Sequence, residues 1–140
     1  MKLLVKQPYT RMFVKRAESE ALINGLTALQ GAKIEFQFDH EPTQTTVYAI
    51  GSPAGRFSVT ATDQAQPEFI AKTRCVYIVE SIDDTLAEAV AAGMTVGQPK
   101  SPVPVGFQAR IQISEDNFFE LAEWTADHIA HLREEGFSFD

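Results

Sequence analysis

Phe107-Gln-Ala-Arg-Ile-Gln-Ile113 is followed by the polar stretch Ser114 to Asn117 and then by Phe118-Phe-Glu-Leu-Ala-Glu-Trp124. Apolar and polar residues alternate in the runs on either side of the break, which is the two-residue period of a strand. The polar break predicts a turn, so the whole stretch reads as a β-hairpin. Its second arm carries a carboxylate, Glu120, among apolar neighbours. A charge in that setting needs a partner, a metal or a solvent-filled cavity.

Working outward, the hairpin closes a pattern that occurs twice. Tyr9 to Arg16 alternates as a strand. Glu18 to Gln30 then places Leu22, Leu26 and Leu29 at helical spacing, with acidic residues in its first turn and Gly31 as a stop. Strand-like runs at Lys33 to Asp39, Thr45 to Ile50 and Arg56 to Ala61 follow, separated by Pro42 and by Gly51-Ser-Pro-Ala-Gly55. The second half repeats the order: a strand over Thr73 to Glu80, a helix over Ile82 to Ala92 stopped by Gly93, a short strand near Thr95 to Gly97, a loop over Pro99 to Pro104, and the hairpin. The expected class is therefore α+β, with two βαβββ modules, at about 8–63 and 72–124, in one domain spanning 1–140. Each module alone would be marginal, so their sheets must combine. Asp63-Gln-Ala-Gln-Pro-Glu68 links them, and Thr125 to Glu135 predicts a short amphipathic C-terminal helix, laid on the surface or on a partner subunit.

Composition narrows the classes. The 140 residues are 44% hydrophobic, enough for a core without staples, and the single cysteine, Cys75, excludes an internal disulfide framework and a cysteine-based zinc site. The formal charge of −7 argues against nucleic acid as a main partner, because phosphate binding needs a basic face. No twenty-residue apolar run exists, and Met1-Lys-Leu-Leu-Val-Lys-Gln has too short an apolar stretch for a signal peptide, so a cytoplasmic protein without a membrane partner is expected.

The doubled module, Gly93 after the second helix, and Ser114-Glu-Asp-Asn-Phe-Phe-Glu-Leu121 resemble the vicinal oxygen chelate superfamily, which includes glyoxalase I, extradiol dioxygenases, fosfomycin-resistance enzymes and bleomycin-binding proteins. The last segment is similar to the family's Asp-Pro-x-Gly-Asn-x-x-Glu-Leu signature, with the proline and glycine missing. The resemblance covers about Tyr9 to Trp124. It implies a curved mixed sheet around a concave cavity and a homodimer.

In such a fold one face of each strand meets a helix and the other faces the cavity. Alternation then places Arg11, Phe13, Arg56, Ser58, Cys75, Tyr77, Arg110, Phe118 and Glu120 in the cavity, with Tyr48 as a further aromatic wall. The resemblance puts Arg11, Ser58, Cys75 and Glu120 at the four positions that hold a divalent metal in metal-dependent members. Only Glu120 is an ordinary ligand there, a poor set for any octahedral or tetrahedral ion. No metal or other cofactor is therefore expected, with Arg11 answering Glu120 in its place. His40 falls in a turn, away from these positions, and His128 and His131 on the tail helix read as two solvated surface histidines.

The expected function is that of a glyoxalase- or bleomycin-resistance-like protein that binds a small organic molecule without a metal. The arginines favour an anionic, planar ligand over positively charged bleomycin-type drugs. Two alternatives stand beside it: a metal-dependent lyase, isomerase or dioxygenase using Glu120, and an interaction module with a collapsed cavity. Whether any reaction is catalysed is open at the level of sequence.

Overall fold

The computed structural model describes residues 1–140. The first half forms β1 (Tyr9–Val14), α1 (Ser19–Gln30), β2 (Lys33–His40), β3 (Thr45–Ser52) and β4 (Gly55–Ala61). A single helical turn in the linker, α2 (Glu68–Ala71), leads to β5 (Thr73–Ile78), α3 (Ile82–Ala91), β6 (Thr95–Val103), β7 (Gly106–Ser114), β8 (Asn117–Trp124) and finally α4 (Ala126–Glu134). Two βαβββ modules and a short C-terminal helix are thus present, as the doubled periodicity implies.

Local chemistry sets the helix limits. Gly31 adopts a left-handed backbone (φ 65°) and terminates α1. The Ser81 hydroxyl accepts from the Asp84 amide at the start of α3, and Thr125 does the same for His128 in α4. Gly106, at φ 151°, begins β7 where a Cβ would overlap the Glu123 carbonyl, so only glycine fits at that crossing.

All eight strands join one curved mixed sheet in the order β2-β3-β4-β1-β5-β8-β7-β6. Within each module the first strand runs parallel to the last, β1 beside β4 and β5 beside β8. The modules meet through a short antiparallel seam, Tyr9 opposite Val76 and Thr10 opposite Cys75.

Three cores follow from this layout. On the convex side, α1 buries Leu26 against Ile50 and Val59, and α3 buries Ile82 and Ala89 against Ala109, Ile111 and Leu121. The third core lies on the concave side. There Tyr9, Ala49, Val76, Ile78, Ala122 and Trp124 pack against Val5 and Leu132, with Ile129, Phe137 and Phe139 at its edge. The C-terminal helix, expected on the surface or on a partner subunit, therefore lies across the concave face of its own sheet. Leu132 exposes only 1% of its area.

Two strands also differ from expectation. β6 runs through Pro99 and Pro102 to Val103, where a loop was expected, because it is the sheet's outermost strand and an edge tolerates residues that cannot donate. In β5 the register shifts between Thr73 and Cys75. This bulge adds one residue and reverses the alternation after it. No helix of the chain is long and apolar enough to cross a membrane.

Candidate functional site

Beside α4, the concave face holds a cavity of about 90 Å³. Arg11 and Phe13 reach it from β1, Ser58 and Thr60 from β4, Arg110 and Gln108 from β7, and Glu120 from β8. Alternation delivers each of them, as each lies two residues from a neighbour on the same face. Phe36, Phe38 and His40 of β2, Gln66 of the linker and Ile70 of α2 complete the lining.

Glu120 is the centre of the charge arrangement. Arg11 Nη2 donates to its Oε2 at 2.7 Å, and Arg110 Nη2 donates to its Oε1 at 2.6 Å. The Glu120 side chain exposes 11% of its area, and those of Arg11 and Arg110 only 6% and 4%. Arg110 sits directly opposite Glu120 in the hairpin register. Arg11 reaches Glu120 of β8 from β1, across the intervening β5, so this ion pair crosses the seam between the modules. Arg110 also donates through Nε to Thr73 Oγ1 at 2.9 Å and through Nη1 to Gln98, and Arg11 donates to Thr60. Arg11 Nε is buried and has no partner. Burial pushes the Arg110 guanidinium below its usual pKa, while the Glu120 carboxylate opposes that shift.

Several sequence expectations need correcting. Cys75 and Tyr77 do not enter the cavity. The β5 bulge turns them to the convex side, where Tyr77 packs edge-on against Phe119 beneath α3, and the cavity receives Val76 and Ile78 instead. Burial pushes the Cys75 thiol up, away from nucleophilic character. Tyr48 likewise packs on the α1 side. Phe118 shares the Glu120 face but lies over Gly97, where its ring fills the space a Cβ would occupy, and does not line the cavity.

Arg56 is buried at the far end of the concave face. It pairs with Glu35 at 3.3 Å, donates to the Tyr9 hydroxyl at 3.1 Å and to the Ser138 carbonyl, and stacks over Phe137. The C-terminal tail thus screens it from the cavity.

Two histidines are also placed differently. His40, read from sequence as a turn residue away from the cavity positions, stands in the cavity wall. Its Nδ1 lies 2.8 Å from Thr43 Oγ1, and burial holds its pKa below the usual value despite the opposing pull of Glu120. His128 is not solvated: it meets Phe36 and Trp124 edge-on at 4.7 and 5.1 Å between centroids, with Nε2 buried and unpartnered. His40 could have been found by continuing the alternation from Phe36 and Phe38. The burial of His128 carries no comparable signal, since it depends on where α4 docks.

No family model matches the sequence, and no curated protein matches it. Solved structures do. A methylmalonyl-CoA epimerase from Mycobacterium tuberculosis superposes with a TM-score of 0.71 at 12% identity, over 93% of this chain and 95% of that one. A Streptomyces coelicolor methylmalonyl-CoA epimerase variant in complex with 2-nitronate-propionyl-CoA gives 0.64 at 13% identity, over 88% and 99%. An uncharacterized protein from Methanosarcina mazei gives 0.68 at 18% identity, over 89% and 95%. The fold is that of the vicinal oxygen chelate superfamily.

Many proteins of the vicinal oxygen chelate fold use a divalent metal, and the residues here do not fit one. The β5 residue beside Glu120 on the cavity face is Val76, which has no donor atom. Arg11 and Ser58 supply a guanidinium and a hydroxyl, and both Glu120 oxygens already accept from arginine. No group of three or more His, Cys, Asp or Glu side chains is arranged to hold an ion.

Proposed function

We propose that this protein binds a small organic anion in its concave cavity and does so without a divalent metal. One observation carries the reading: a single buried carboxylate, Glu120, faces two buried guanidinium groups, Arg11 and Arg110. His40 is kept neutral by burial, and Glu35 and Arg56 compensate each other elsewhere, so the cavity keeps one positive charge without a counter-charge. Uncompensated buried charge is costly, and an anionic ligand relieves that cost.

The arrangement supports this better than metal-dependent lyase, isomerase or dioxygenase chemistry, which would require Glu120 to leave both arginines. The cavity is also small against the roughly 300–1,000 Å³ of ordinary ligand pockets. A whole CoA thioester, such as the one in the Streptomyces coelicolor epimerase complex, would need room beyond it. The reading carries with it a homodimer in the cytoplasm.

Thermal-shift measurement with a library of small carboxylates, their neutral amides, and divalent cations tests it. Carboxylates should raise the melting temperature, while amides and cations leave it unchanged. Stoichiometric zinc, nickel, manganese or iron in the purified protein would overturn the metal-free part. A library that produces no shift would favour the interaction module, to which the packing of α4 on part of the concave face lends some support.

A further inference from the structure

His40 adds a feature that charge alone does not. The Thr43 hydroxyl has two acceptors for its one proton, the His40 backbone carbonyl at 3.3 Å and the Thr45 hydroxyl at 2.9 Å, and its oxygen can then accept from the imidazole Nδ1, 2.8 Å away. When the ring donates there, the proton sits on Nδ1 and Nε2 is the acceptor. No group in the chain donates to Nε2, and His40 and Thr43 both line the cavity that holds Arg11, Arg110 and Glu120. Burial keeps the ring neutral, so the acceptor is available near pH 7.

The site therefore offers cationic donors together with one neutral acceptor. The volume of about 90 Å³ is small against ordinary ligand pockets, so a compact ligand that meets both groups fits it best. A carboxylate answers the arginines, and a hydroxyl donor answers His40. In so small a molecule the hydroxyl must sit close to the carboxylate. We infer that the cavity takes a small 2-hydroxymonocarboxylate, its carboxylate against Arg11 and Arg110 and its hydroxyl donated to His40 Nε2. The inference rests on the anion-binding reading above and names the ligand class within it. A single carboxylate suffices because the uncompensated charge is one.

Calorimetric titration with lactate, propionate and methyl lactate separates the two claims. Lactate should bind at least tenfold more tightly than propionate, because a site built to receive a hydroxyl proton discriminates against an analogue without one. Methyl lactate, which lacks the charge, should not bind. In the His40→Phe variant the lactate-to-propionate ratio should fall to about one. Thr43→Val, which frees the ring to exchange its proton while keeping His40, should lower the ratio as well and provides the reading if His40→Phe does not fold. Equal affinity for lactate and propionate, or an undiminished ratio in both variants, would overturn the inference and leave the anion site standing. Binding by neither acid would overturn the anion site itself.

Discussion

Removing Glu120 would leave Arg11 and Arg110 facing one another across the module seam with neither charge compensated. Removing Arg11 would leave Arg110 and Glu120 as a one-to-one pair with its other hydrogen bonds intact. The two losses are therefore unequal. Glu120→Gln should cost about 3–5 kcal/mol, the usual penalty for a broken buried ion pair. Arg11→Met should cost only about 1–2 kcal/mol, since it retains much of the aliphatic packing and also removes the unpartnered Nε. Urea denaturation of both variants measures this; a larger loss for Arg11→Met would show that the cavity charge is balanced by some other group. Much of this site is legible in the sequence. Alternation put Arg11, Arg110 and Glu120 on one face, and hairpin register opposes Arg110 to Glu120 once the turn at Ser114 to Asn117 is recognised. What alternation does not give is reach: that Arg11 spans β5 depends on how the seam strands lie, a non-local property.

At the scale of elements, sequence reading worked where a strand was regular and failed where one residue was added. The faces of β1, β4 and β8, and of β7 up to Gln112, follow alternation. β5 does not, and a bulge between Thr73 and Cys75 sends two expected cavity residues to the other side. Nothing in Thr73-Arg-Cys-Val76 announces that bulge, because both possible faces of the strand are buried and each supplies apolar residues. The placement of α4 is a second case. Its amphipathicity declares that some surface covers it without saying which. That placement has a consequence for pH. His128 lies half-buried between Phe36 and Trp124, and burial, with the neighbouring His131 charge adding to it, lowers its pKa in the folded protein. The neutral ring is thus favoured by folding. The corresponding stability is fully present above the unfolded histidine pKa of about 6.5 and is lost as pH falls through the lower folded value. His40 is shifted the same way, so it contributes to the same loss. Melting temperatures at pH 5 and 7.5 should differ more for the wild-type chain than for His128→Phe, which keeps the aromatic contacts and removes the proton site. An equal difference in both would mean that His128 is solvated when folded.

For the whole molecule, the question is what closes the concave side of an eight-stranded sheet. A curved sheet with helices on its convex face leaves a second apolar surface, and that surface must be covered or must bind something. Here both solutions occur side by side. Around Trp124 the concave face packs against α4 and the Phe137 to Phe139 tail, and the tail is held by Arg56 donating to Ser138 and by the Lys6 amide donating to the Phe139 carbonyl at 2.9 Å. The remainder keeps the arginine pair and the cavity. If α4 is this integral, its central residue should behave as core. Leu132 and Leu121 are both essentially inaccessible, one under the concave face and one under α3 on the convex face. Leu132→Ala should therefore destabilise the protein by about 2–5 kcal/mol, in the same range as Leu121→Ala. A surface-laid helix would lose well under 1 kcal/mol at that position. Denaturant midpoints of the two variants decide between these outcomes. Binding of a hydrophobic dye distinguishes them further, because loosening α4 exposes Trp124 and Phe36 and enlarges the cavity, whereas Leu121→Ala leaves the concave face covered.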